Sequence, residues 1–80
     1  MDINEVEEAY FKNHKTVFEI GELVKIKDTS MVTDLARNKC VFITKKTFSF
    51  AIEDSEPVIY WFYVNGIQGT LPSKYLEKVD

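Results

Sequence analysis

The sequence predicts a mainly β domain: a small barrel of five or six short strands, with a short N-terminal α-helix and an extra central hairpin. Three observations carry this expectation. Several short runs alternate apolar and polar residues with period two. The most apolar run, Val58 to Val64 (VIYWFYV), is followed at once by Asn65-Gly66. That dipeptide is favoured in two-residue hairpins because a type I′ turn needs positive φ at both central positions. Only the opening residues place apolar side chains at helical spacing instead.

Taken in order, residues 2–12 set Ile3, Val6 and Tyr10 on one helical face, with Glu5, Glu7 and Glu8 elsewhere on the turn. Asp2 or Asn4 can cap the start, and early acids suit the helix dipole. Such a helix needs something to pack against. With the loop KNHKT it makes a first unit, residues 1–15, leaving 16–80 for the barrel as a single domain. Glu22 to Lys27 alternates Val24 and Ile26 with Leu23, Lys25 and Lys27, a strand with one wet face. Residues 28–37 are polar with scattered Met31, Val32 and Leu35, and fit either a long loop or a single helical turn. Lys39 to Thr44 and Thr47 to Ile52 are both strand-like, with Phe48, Phe50 and Ile52 on one face and Lys45-Lys46 as the turn between them. Glu53 to Pro57 is turn chemistry, read as a solvated acidic tip. The VIYWFYV strand is apolar at every position, so something must cover both its faces. Ile67 to Leu71 returns from the hairpin, Pro72-Ser-Lys turns, and Tyr75 to Val79 is the last strand.

Composition narrows the function classes. Apolar residues at 45% and aromatics at 14% are enough for a packed interior and argue against disorder. No apolar run approaches the roughly 18 residues of a membrane span, so no membrane partner is expected. The acidic opening MDINEVEEAY lacks the basic and apolar regions of a signal peptide, and a lone cysteine, Cys40, makes no internal disulfide. A reducing cytoplasm is the expected location.

Little in the chain points to catalysis. One His and one Cys give no converging metal ligands, so neither metal nor cofactor is expected. Asp28 and Asp34 lack the dense spacing of a calcium loop. A Cys40–His14 nucleophilic pair is conceivable, but Cys40 sits in a strand pattern and reads as a small core residue. Gly21, Gly66 and Gly69 are scattered among turns rather than gathered in a phosphate loop. The chain is not expected to be an enzyme.

The ending Gly69-Thr-Leu-Pro72-Ser-Lys-Tyr75-Leu76 resembles that of Src-homology-3 (SH3) domains, which close on an aromatic strand, a short hairpin, and Gly-hydrophobic-hydrophobic-Pro-x-x-Tyr-hydrophobic. Thr70 stands at one of the hydrophobic positions. Phe18-Glu-Ile-Gly21-Glu-Leu-Val-Lys-Ile is similar to that family's diverging turn and the strand after it. The resemblance implies an SH3-like small barrel in which Gly69 bends or bulges its strand, Pro72 opens a one-turn 3₁₀ helix, and Tyr75 packs back across it. The family's proline-peptide groove is mostly missing. Nothing before Phe18 resembles its Ala-Leu-Tyr-Asp-Tyr opening, Ile59 and Tyr60 stand where paired tryptophans belong, and Lys74 replaces the groove asparagine. Of the groove residues only Pro72 and Tyr75 remain. The stretch from Gly21 to Ile59 is also longer than the family's, which implies the extra hairpin. Phe18 to Val24 and Tyr75 to Val79 further resemble a loose group of bacterial and phage SH3-like small barrels.

Two surfaces remain as binding candidates. With the register that the SH3 resemblance implies, Tyr60, Phe62 and Val64 face the core, which leaves Ile59, Trp61 and Tyr63 as an apolar stripe on the opposite face, with Lys74 and Tyr75 at its margin. The stripe is covered by the N-terminal helix or the extra hairpin, or else it binds a protein partner or a second copy in a homodimer. The expected function is a non-catalytic protein–protein interaction module: a small bacterial or phage accessory protein that docks on a larger protein, with or without inhibiting it. The rival surface is basic. Residues 25–46 hold Lys25, Lys27, Arg37, Lys39, Lys45 and Lys46 against two acids, while the flanking segments are acidic. With Phe42, Phe48 and Phe50 they would suit nucleic acid. A net charge of −3 opposes phosphate binding beyond the patch, so nucleic acid is the lesser expectation.

Overall fold

The computed structural model describes residues 3–49 and 56–79. It is mainly β with a short N-terminal helix. Helix α1 (Ile3–Asn13) is followed by β1 (Leu23–Ile26), β2 (Cys40–Phe42), β3 (Lys45–Phe48), β4 (Val58–Val64) and β5 (Ile67–Pro72). A 3₁₀ turn, η1 (Ser73–Tyr75), leads into β6 (Leu76–Lys78). The strands form two antiparallel three-stranded sheets, ordered β2-β1-β6 and β3-β4-β5. They do not close into one hydrogen-bonded barrel, because η1 stands between β5 and β6 and a bend separates β2 from β3.

That bend corrects the expected central hairpin. Lys45-Lys46 is not a turn, and β2 and β3 do not pair with each other. β2 pairs with β1 (Val24↔Val41), and β3 pairs with β4 (Lys46↔Tyr60). Only Ile43 and Thr44 lie between them. Thr44 donates its N–H to Trp61 O at 2.8 Å while Lys45 is the register partner of Trp61. Two residues thus oppose one, which is the arrangement of a β-bulge. Its effect is to switch parity: Val41 and Ile43 are buried at odd positions, whereas Lys46 and Phe48 share the face of Tyr60 and Val58 at even ones. Phe50 and Ile52, expected on the same face as Phe48, lie outside the described residues, as do Glu53 and Asp54.

The core lies between the sheets. Val24 and Ile26 from β1, Val41 and Ile43, Val58, Tyr60 and Phe62 from β4, and Leu76 are buried, with Phe18 and Val32 closing the ends. Full burial of each such side chain is worth roughly 1.5–3 kcal/mol. Val32 is the buried residue of segment 28–37, which forms two successive turns: Val32 donates to Thr29 O, then Ala36 and Arg37 both donate to Thr33 O, and Asn38 follows at φ 61°.

The local signals of the last third hold. Asn65 and Gly66 have φ of 52° and 79°, as a type I′ turn requires. Pro72, at φ −73°, precedes the 3₁₀ turn. Gly69, however, does not bulge. It pairs regularly with Phe62, and a Cβ there would stand 2.8 Å from Phe62 Cε2. Glycine is required because the phenyl ring lies across it.

Candidate interaction surfaces

Antiparallel partners share a face, so the register fixes what each side of the β3-β4-β5 sheet presents. The inner side carries Lys46, Phe48, Val58, Tyr60, Phe62, Gly69 and Leu71. The outer side carries Ile59 between Thr47 and Pro72, Trp61 between Lys45 and Thr70, and Tyr63 beside Gln68. Ile59 and Trp61 are half-buried and Tyr63 is 53% exposed. The indole of Trp61 is held in place: Nε1 donates to Thr47 Oγ1 at 2.8 Å, and Lys45 Nζ stands 5.1 Å from the ring centroid. Lys74 Nζ lies 5.2 Å from the ring of Tyr75, which packs against the core just beyond Pro72. The five predicted contact residues therefore occupy β4 and the turn that follows its neighbour.

Helix α1 takes a different seat from the one expected. Tyr10 meets Phe48 edge to face at 5.3 Å, and Glu7 Oε2 accepts the Phe48 N–H at 2.9 Å. Phe48 belongs to the inner side. The contacts of Tyr10 and Glu7 thus close the end of the core rather than the Ile59–Trp61–Tyr63 stripe.

Behind β4 a polar cluster ties down the loop after α1. Tyr60 donates its hydroxyl to Glu56, Val17 N–H donates to the other Glu56 oxygen at 3.2 Å, and Phe18 N–H donates to Tyr60 Oη at 3.2 Å. Glu56 is only 6% exposed, which corrects its place in a solvated tip. Burial, reinforced by the Glu56 carboxylate, holds the Tyr60 phenol well above its ordinary pKa of 10.0. Next to it, Lys46 Nζ donates to Thr16 Oγ1 at 3.0 Å and Glu19 Oε2 at 2.9 Å and lies 5.2 Å from the Phe11 ring. The Lys46 hydrogen bond lowers the pKa of Glu19, most of whose side chain is exposed.

The basic residues do not gather into one patch. Lys46 is committed to the cluster just described. Arg37 is bound to Asp34 at 2.7 Å and donates from Nε to Val32 O at 2.8 Å, stapling its own turn. Lys45 sits over Trp61 on the other sheet. Lys25 pairs in register with Cys40 and Glu77, Lys39 follows the Asn38 turn, and Lys27 lies past the end of β1. Phe42 is 60% exposed beside Leu23.

Cys40 is exposed, which corrects its expected place in the core. His14 stacks on Tyr10 at 4.4 Å with Nδ1 3.2 Å from Tyr10 O, and no hydrogen bond joins it to Cys40 among the described residues. Among those residues no group of three or more His, Cys, Asp or Glu side chains is placed to hold a metal, and no helix is long and apolar enough to cross a membrane.

One feature had no clear signal in the sequence. A groove of about 300 Å³ opens between the turn at 31–36 and the β4–β5 hairpin. Its walls are largely apolar: Val32, Phe62, Val64 and Leu71, with Met31 and Leu35 on the rim at 71% and 66% exposed. Met31, Val32 and Leu35 stand out in segment 28–37, but without periodicity nothing assigns them a face.

The class that fold and surfaces define is a mainly β domain of two three-stranded sheets carrying a preset tryptophan on one outer face. No protein-family model, curated protein or solved structure matches the chain.

Proposed function

We propose that this chain is a non-catalytic protein–protein interaction module on an SH3-like frame, a small accessory protein that docks on a larger one through Ile59, Trp61 and Tyr63. The frame is supported by β1 sharing its two edges between β2 and β6 and by the 3₁₀ turn entering the last strand. The observation that carries the function is the Trp61 indole, fixed by Thr47 and Lys45 on a sheet face that α1 leaves aside through Tyr10 and Glu7. A large aromatic held in one rotamer loses little entropy on binding, which is why tryptophan and tyrosine anchor interfaces. Lys74 and Tyr75 stand in the turn that follows Pro72, the register partner of Ile59, and complete the proposed contact set.

The test is capture of a protein partner on the immobilised wild-type chain and on Trp61→Ala, with nuclease present. A discrete protein retained by the first and lost from the second, with both chains giving the same thermal transition, supports the reading. Retention unchanged in Trp61→Ala moves binding off this face, and unfolding of Trp61→Ala makes the residue part of the packing. Trp61→Phe then separates the two, since it keeps a ring but loses the bond to Thr47.

A further inference from the structure

The two sheets end in four edge strands, and three of them are guarded. β2 and β6 are three residues long, and β6 carries Glu77 and Lys78. β3 begins with Lys45-Lys46, enters through the bulge, and has its Phe48 N–H taken by Glu7 of α1. Short length, charge, bulges and cover are the devices that stop an edge from pairing with another chain. β5 lacks them. It runs six residues, IQGTLP, in unbroken register with β4, and no residue from Pro57 to Ser73 carries a charge.

The hairpin fixes which backbone groups this edge offers. A two-residue turn makes Val64 and Ile67 a hydrogen-bonded pair, so by alternation Ile67, Gly69 and Leu71 turn their N–H and C=O toward β4. Gln68 and Thr70 turn theirs away. Pro72, the next outward position, has no N–H to leave unpaired. Ile67, Gly69 and Leu71 also line the apolar groove.

We propose that β5 is a self-association edge, along which a second copy of this chain pairs antiparallel about a two-fold axis through Gly69. Gln68 then opposes Thr70 of the second copy and exchanges both main-chain bonds with it, and the symmetric pair does the same. Gly69 meets its own counterpart at the close, non-hydrogen-bonded position, where the absence of a side chain lets the strands approach. Ile67, 66% exposed, comes opposite Leu71 of the second copy on the groove side and gives the groove apolar cover. The uncharged edge suits a second copy: two-fold pairing brings two copies of every edge residue within a few residues of the axis, so any charge there would be doubled at short range, and this edge has none. The second copy joins beside Thr70 and Gln68, the register partners of Trp61 and Tyr63, so the dimer lengthens the sheet face that carries them.

The test is sedimentation of the full chain over a wide concentration range. The wild type is expected to pass from monomer to dimer as concentration rises. Gln68→Lys/Thr70→Lys and Gln68→Glu/Thr70→Glu each set like charges opposite one another and are expected to weaken the dimer about tenfold. Mixing the two variants is expected to restore it. A wild type that stays monomeric throughout, even one whose edge accepts an unrelated extended peptide, overturns the proposal. So do charged variants that dimerise as the wild type does. Residue-resolved amide exchange on the wild type decides the matter if the variants fail to fold. Protection of the Gln68 and Thr70 amides must rise with dimer population, and unchanged protection overturns the pairing.

Discussion

The hydroxyl of Tyr60 donates to the carboxylate of Glu56, and both side chains lie inside the fold. Four residues apart in sequence, they link the start of β4 to the loop after α1, because Glu56 also accepts the N–H of Val17 and Tyr60 that of Phe18. The loop is held further by buried Phe18, by the Lys46 contacts and, at its far end, by Gly21 donating to Ile43 O at 2.7 Å. This cluster therefore couples the helix-side segment to the sheet.

Removing the hydroxyl by Tyr60→Phe leaves a buried carboxylate oxygen and the Phe18 N–H without that partner. The expected loss of stability is roughly 1–3 kcal/mol, measured by urea unfolding. Glu56→Gln, which keeps an acceptor oxygen for one of the two donors, is expected to cost less than Glu56→Ala, which keeps none.

The raised pKa of Tyr60 gives a pH dependence of definite sign. Its phenol releases its proton at about 10.0 when unfolded and higher when folded, so the folded state holds the proton more tightly. This contribution is fully present below the unfolded value and is lost as pH rises above 10 toward the folded one. Urea midpoints measured upward from pH 9 are expected to fall, and to fall less steeply in Tyr60→Phe.

At the acid end Glu19 acts with the opposite sign. Lys46 depresses its folded pKa, so its contribution is present above the ordinary 4.5 and declines as pH falls below it. Because Glu19 is largely exposed, the effect is small. Carbon-detected NMR titration of Lys46→Met is expected to show the Glu19 pKa moving up toward its ordinary value.

Two glycines of the same hairpin are expected to fail for different reasons. Gly69→Ala forces a Cβ against the Phe62 ring, at a cost of roughly 1–3 kcal/mol. Gly66→Ala meets nothing within 4 Å but must hold φ near 79°, costing about 1–2 kcal/mol. Adding Phe62→Leu is expected to relieve the penalty of the first substitution and leave that of the second, as urea unfolding of the double variants will show.

What the sequence made legible was local. Asn65-Gly66, Pro72 before its 3₁₀ turn and the helix follow from signals a few residues long, whereas β4, apolar at every position, takes its two faces from the register that the SH3 resemblance implies. The β2–β3 connection escaped because two lysines look like a turn, and a parity switch leaves no mark when Thr44 and Lys45 are both polar. Glu56 escaped because EDSEP reads as a solvated turn, while its partners Tyr60 and Val17 are set by tertiary packing. The α1 contacts at Phe48 escaped for the same reason, since amphipathic spacing says that a helix packs without saying where.

The bulge opposite Trp61 has a consequence for which changes in chain length the fold tolerates. One residue there acts as a phase shift: the side chains before it point inward on odd numbers and those after it on even. Deleting Thr44 would restore plain alternation, with Val41, Ile43, Lys46 and Phe48 all still on one face. What the loss of that one residue would remove is the step by which the chain leaves one sheet for the other, so β2 and β3 would run on as a single strand, whereas losing Thr47 instead would turn Phe48 out toward water.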